Sequence, residues 1–114
     1  MDDPLNDIEG VCLKIIGMID IESDDSIFSI KTKIENLLPK IRESKKKIMV
    51  KSPKGKELTK EILLDVNGLH ELLSKVQRSG LEENVEKVIQ KLKSFENGVK
   101  KLEIYWRSYE YVTT

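Results

Sequence analysis

The chain has 114 residues, 39% of them apolar and 35% charged, with three prolines, six glycines and a single cysteine. That length suits one domain with a modest core, and the composition is too apolar for a disordered chain and too poor in Gly and Pro for a loop-rich one. Lys and Arg total 20 and Asp and Glu total 20, so no global field draws the protein to nucleic acid or to a membrane surface. One cysteine cannot form an internal disulfide, which fits a reducing compartment. No apolar run approaches the roughly 18 residues of a membrane span, and Met1-Asp2-Asp3-Pro4 is acidic where a secretion signal is basic. An intracellular location, cytoplasm or nucleus, without membrane insertion is the expectation.

The first helix is expected at about 5–21. Leu5, Ile8, Cys12, Ile15 and Ile19 recur at alternating spacings of three and four, the rhythm of a buried helix seam. Asp2 and Asp3 precede it and Pro4 suits its first turn, where a missing N–H costs nothing. Val11, Ile16 and Met18 widen the apolar face, and Gly10 and Gly17 are read as places where a neighbour comes close. Ser23-Asp24-Asp25-Ser26 forms a turn with N-cap candidates. The second helix follows over about 25–50, with a seam of Ile27, Ile30, Ile34, Leu37, Ile41, Ser44 and Ile48 and a kink near Pro39. Ser44 is the polar interruption. It is read as setting register, so that Ser44→Leu raises stability while loosening oligomer specificity.

Lys51-Ser52-Pro53-Lys54-Gly55-Lys56 reads as a loop. The third helix is expected at about 57–78, with two overlapping seams. Ile62, Val66, Leu69, Leu73 and Val76 face the core centre, because the alternative through Leu58, Ile62, Leu69, Leu72 and Val76 passes through Asp65. Gly80 closes it in the left-handed position after the helix. The fourth helix, about 81–109, is the longest. Its seam runs Leu81, Val85, Val88, Leu92, Phe95, Val99, Leu102, Trp106 and Tyr109, with Glu82, Glu83 and Glu86 in its first turns and Asn97-Gly98 as its weak point.

These elements predict an all-α single domain over 1–114, an elongated antiparallel four-helix bundle of coiled-coil character with the last helix longest. At about 1.5 Å per residue the fourth helix spans roughly 43 Å and the first about 25 Å. Part of the seam is then left for another chain. The distal half of the fourth helix should lie beside the end of the second and the start of the third.

Two constellations follow. Tyr105, Trp106, Tyr109 and Tyr111 are four of the six aromatic residues of the chain, and such clusters anchor interfaces. With Phe95, Val99 and Leu102 they form the expected partner face. The second is basic: Lys40, Arg42, Lys45, Lys46, Lys47, Lys51, Lys54 and Lys56, opposed in that stretch by Glu43. Basic residues beside aromatics can bind single-stranded nucleic acid or an acidic partner. A solvated helix end explains the same lysines, and Asp2, Asp3, Asp7 and Glu9 are placed to neutralise them. Ser52-Pro53 is a minimal proline-directed phosphorylation context or a plain turn.

Catalytic and metal readings find little. His70 is the lone histidine, without a nucleophile placed beside it, and Cys12 sits on a core seam away from basic neighbours. The acidic run Asp20, Glu22, Asp24 and Asp25 is not a calcium loop, because Asp25 stands where Gly is needed and Lys31 where a bidentate Glu is needed. No catalytic, cofactor or metal site is expected. The sequence reads as a structural or adaptor subunit that binds other protein subunits by helix packing. A nucleic-acid-binding module and a self-contained homodimeric scaffold are the alternatives.

Overall fold

The computed structural model describes the backbone of residues 3–21, 25–79 and 85–113, and side chains within 3–19, 29–75 and 86–108. Four α-helices result: α1 (Pro4–Ile21), α2 (Asp25–Lys45), α3 (Pro53–Ser79) and α4 (Val85–Thr113), with a short 3₁₀ helix (Ile48–Lys51) between α2 and α3. Ser23 and Asp24 of the expected turn, the Gly80 cap and positions 81–84 lie outside the described residues, as do the side chains of Ile27, Val76 and Val85, while Asp25 and Ser26 already belong to α2.

Local chemistry sets the helix starts. Asp3 caps α1, its Oδ1 accepting the Leu5 N–H at 3.0 Å, and Pro4 occupies the first helical position. Ser52 does the same for α3: its Oγ accepts the Gly55 N–H at 3.1 Å, and Lys56 N–H closes the first turn onto the Ser52 carbonyl at 2.9 Å. The Ser-Pro pair is therefore a cap followed by the first helical residue, and α3 starts at Pro53 rather than at 57. The helix α2 is continuous through Pro39. The missing N–H there leaves the Glu35 carbonyl unpaired within the helix, and both residues face solvent, where water can serve.

At its other end α2 is shorter than the seam implied. It stops at Lys45 instead of continuing to 50. The N–H groups of Lys46 and Lys47 bond to the carbonyls of Glu43 and Ser44, tightening the last turn, and Lys47 is extended (φ −96°, ψ 125°). The heptad phase is lost there, so Ile48 is 84% exposed and Val50 enters the core in its place.

Elsewhere the seams are the core. Leu5, Ile8, Cys12, Ile15 and Ile19 of α1 are buried, as are Ile30, Ile34, Leu37 and Ile41 of α2. Ile62, Val66, Leu69 and Leu73 of α3 face Val88, Leu92, Phe95, Val99, Leu102 and Trp106 of α4 in the same cluster. Asp65 stays at the edge, where Ser94 Oγ donates to its Oδ2 at 2.9 Å and Lys91 Nζ lies 3.7 Å from Oδ1.

Each helix packs against two others: α1 on α2 and α3, and α4 on α3 and α2. Among the described residues α2 does not pack on α3, nor α1 on α4. The pairings carry direction. Glu9 near the start of α1 meets Arg42 and Lys45 at the end of α2, so those two run antiparallel. In α3 and α4, Ile62 lies beside Gly98 and Gly68 beside Lys91, again antiparallel. By contrast Lys33 reaches Glu96 and Lys40 reaches Glu103, so α2 and α4 run in the same direction. The 3₁₀ segment thus carries the chain diagonally across the end of the bundle, and not every neighbouring pair is antiparallel. The distal half of α4 does lie beside the end of α2 and the start of α3, as the helix lengths implied. The molecule measures 49 × 25 × 21 Å.

Two glycines allow close packing, Gly55 under the crossing segment and Gly98 between α3 and α4. A Cβ on Gly55 would fall on the carbonyl oxygens of Val50 and Met49, and one on Gly98 would lie 2.9 Å from Ile62 Cγ1. Gly10 and Gly17, read from the sequence as points of close approach, have no described atom within 4 Å of an added Cβ. Opposite signs follow for one substitution. Gly10→Ala and Gly17→Ala should each raise stability by about 0.5–1 kcal/mol, by reducing unfolded-chain freedom in a helix interior. Gly55→Ala and Gly98→Ala should lower it by about 1–3 kcal/mol through overpacking. Urea unfolding of the four variants measures both.

Candidate functional site

The structure places four residues of the sequence-predicted partner face inside the chain. Phe95, Val99, Leu102 and Trp106 are each no more than 1% exposed. They are covered by the chain's own α2, α3 and 3₁₀ segment, not left over for a partner, because the diagonal crossing closes this end of the bundle. Tyr105 is half-buried against the core. The side chains of Tyr109 and Tyr111 lie outside the described residues.

An indole buried this deeply needs an acceptor for its N–H. Trp106 Nε1 donates to Ser44 Oγ at 2.9 Å, and Ser44, 1% exposed, donates in turn to the Lys40 carbonyl at 2.9 Å. The polar gap in the α2 seam and the one indole of the α4 seam are therefore a matched pair. This reverses the expectation for Ser44→Leu, which would strand a buried donor and add volume to a packed site. The pairing was within reach of the sequence: one seam has a single polar residue and the facing seam a single indole.

A second hydroxyl network ties α4 to the start of α3. Ser52 Oγ donates to the Met49 carbonyl at 2.6 Å and accepts from Gly55 N–H. Tyr105 Oη lies 2.6 Å away, and with the serine proton committed to Met49, the phenol is the donor. Ser52 thus has its full complement of bonds.

The basic cluster divides into two sets. Arg42 and Lys45 share one carboxylate, Glu9, the latter at 2.9 Å from its Oε1. The two cations hold the Glu9 carboxyl below the usual carboxylate range, chiefly through their hydrogen bonds. Lys40 lies 4.0 Å from Glu103, and Lys47 Nζ stands 4.7 Å from the Trp106 ring centroid, with Arg107 at 5.0 Å, both in cation–π range. Lys46, Lys51, Lys54 and Lys56 are exposed, and no described carboxylate pairs with them. They surround the 3₁₀ segment that displays Ile48, the most exposed of the large apolar side chains described.

Other candidates are accounted for locally. Cys12 is fully buried, and burial, with the nearby Glu9 charge, pushes its thiol up to about 12, so it stays protonated and packs as a small apolar group. His70 is half-buried on α3 and its carbonyl accepts from Ser74. Among the described residues there is no cluster of three or more His, Cys, Asp or Glu placed to hold a metal ion, and no helix is long and apolar enough to cross a membrane. Compared with protein-family models, curated proteins and solved structures, the chain matches none.

Ser44→Ala should destabilise the fold by about 1–3 kcal/mol, the cost of an unpaired buried donor. Combined with Trp106→Phe, the loss should fall short of the sum of the single losses by about 1 kcal/mol, measured as a double-mutant cycle in urea. The Glu9 pair adds a pH dependence. Because the folded-state carboxyl is held below its unfolded value, its contribution is full above the ordinary carboxylate range and is lost as pH falls through the lowered value. The stability advantage of the natural chain over Glu9→Gln should therefore be present at neutral pH and vanish in acid, read from thermal melts across pH.

Proposed function

We propose that the protein is a non-catalytic structural or adaptor subunit of a multiprotein assembly, and that it meets its partner at the α2–α3 end of the bundle. The observation that carries this reading is the exposed Ile48, 84% accessible, set among Lys46, Lys51, Lys54 and Lys56, whose charges no described carboxylate offsets. An apolar side chain in a basic collar fits a protein surface that offers an apolar recess with acidic residues around it. The collar supplies steering and specificity and the isoleucine supplies desolvation. The buried α4 seam supports this end in a fixed shape and is not itself the docking face.

A nucleic-acid module would use the same lysines. Among the described residues its stacking platform is not on the accessible surface, since Trp106 is 1% exposed and Tyr105 is tied to Ser52, and backbone contact alone fits the balanced net charge poorly. A homodimeric scaffold would need an apolar face for its copy. The exposed aliphatics Leu13, Leu64, Ile89 and Ile104 are spread over three helices instead.

The test compares the natural chain with the triple variant Lys46→Glu/Ile48→Ser/Lys54→Glu, three exposed positions whose change should leave the melting temperature unaltered. Each is tagged at native abundance and purified from the source organism at physiological salt. The natural chain should bring down one or more protein subunits in stoichiometric amount, and the variant should lose them. Retention of the same subunits by the variant would contradict the assignment of the docking end. Recovery of nucleic acid, or a dimer by light scattering without other proteins, would contradict the subunit reading.

A further inference from the structure

Ser52 stands at the centre of the docking end, between Ile48 and Lys51 on one side and Lys54 and Lys56 on the other. The prolines of the chain, at 4, 39 and 53, follow Asp3, Leu38 and Ser52. Ser52 is therefore the only hydroxyl residue with a proline after it, the one determinant that proline-directed protein kinases share. Its flanks are accessible: Lys51, Pro53 and Lys54 are exposed, and Ser52 itself is half-buried. Its backbone is already extended (φ −66°, ψ 163°), the conformation that a following proline imposes and in which kinases hold an acceptor residue.

The bonds of Ser52 are of two kinds. One serves α3, the Oγ accepting the Gly55 N–H at 3.1 Å. The other two hold the crossing segment shut: the Oγ donates to the Met49 carbonyl at 2.6 Å and takes the Tyr105 phenol at 2.6 Å. A phosphoryl group separates these roles. Its phosphorus takes the place of the proton, which points at the Met49 oxygen, so the side chain must turn outward and leave Met49 and Tyr105. The phosphate oxygens still accept first-turn N–H groups of α3, where a helix start favours negative charge. The cap survives and the latch does not.

We propose that Ser52 is a phosphorylation site for a proline-directed kinase, and that its phosphate unlatches the crossing segment and releases the docked partner; the release rests on the docking end assigned above. In the transfer the Ser52 hydroxyl oxygen attacks the γ-phosphorus of ATP. The bond from that phosphorus to the bridging oxygen breaks, ADP leaves, and the hydroxyl proton passes to the kinase's base. The collar of Lys46, Lys51, Lys54 and Lys56 carries about four positive charges, and a phosphate monoester brings close to two negative ones at neutral pH. The field that steers an acidic partner is roughly halved. Ile48 lies on the segment set free, so the apolar contact loses its fixed geometry as well.

The test incubates the full chain with magnesium ATP and a purified proline-directed serine/threonine kinase, and locates the phosphate by mass spectrometry of fragments. Phosphate should enter at Ser52, and Ser52→Ala should take none. Tyr105→Phe removes one bond that holds the hydroxyl in, and should speed incorporation about two- to tenfold, the worth of one neutral hydrogen bond. The phosphorylated chain should show faster amide exchange over Ile48–Lys51, with the body of α3 unchanged. It should also bind the subunits recovered with the natural chain at least about tenfold more weakly. Absence of phosphate at Ser52 of the folded chain would overturn the site. An unchanged rate for Tyr105→Phe together with unchanged exchange would overturn the latch. Undiminished capture by the phosphorylated chain would overturn the release and leave the docking end standing. Failure of the unmodified chain to capture subunits, with Ser52 phosphorylated and exchange raised, would contradict the docking end and the release while supporting the site and the latch.

Discussion

An indole N–H cannot be buried without an acceptor, and the arrangement of this bundle's closed end follows from that requirement. Trp106 lies near the distal end of the longest helix, and its acceptor, Ser44, lies one residue before α2 ends. That bond pins the end of α2 to α4, and the Lys33–Glu96 and Lys40–Glu103 pairs continue the same register with the two helices running in the same direction. The chain leaving α2 must then cross the end of the bundle diagonally to begin α3. The 3₁₀ segment does this, Val50 closes the core beneath it, and Ser52 terminates the crossing by capping α3 while taking the Tyr105 hydrogen bond. Gly55 is the residue that lets the first turn of α3 approach the carbonyls of the crossing segment.

The same closure distributes the charges. Turning the chain sharply after Lys45 separates two groups of basic residues that are continuous in sequence. Those still on α2 face neighbouring helices and find Glu9 or Glu103. Those on and around the crossing segment face outward, together with an isoleucine that the broken heptad phase has expelled. The surface proposed for docking is thus a by-product of core formation. The chain crosses a rigid end, and the residues that do not fit inside are presented there in a fixed geometry.

The core was legible in the sequence almost residue by residue, because seam periodicity is a direct record of which side of a helix is buried. Leu5 through Ile19 and Val88 through Trp106 read correctly from spacing alone. The helix junction did not. The repeat through Ser44 and Ile48 keeps heptad spacing although the helix has already ended, so spacing counted Ile48 as core. Ser52-Pro53 carries a turn signal and a helix-start signal in the same two residues, and the cap geometry decides between them. Four residues of the expected partner face, Phe95, Val99, Leu102 and Trp106, are core for a related reason. Helix lengths suggested uncovered seam at the end of α4, but length arithmetic has no place for a short diagonal segment whose one buried residue, Val50, completes the cover.

The central claim is that the α4 seam is satisfied within one chain, by Ser44 and the crossing segment, leaving the outer end for partners. The most direct measurement is the exchange of the Trp106 indole proton with solvent, followed by NMR on the isolated protein over a range of concentrations. A single indole resonance that exchanges as slowly as the most protected core amides, at a rate independent of concentration, is the predicted result. Rapid exchange, or protection that grows with protein concentration, would show that the seam waits for another chain, and would contradict the account.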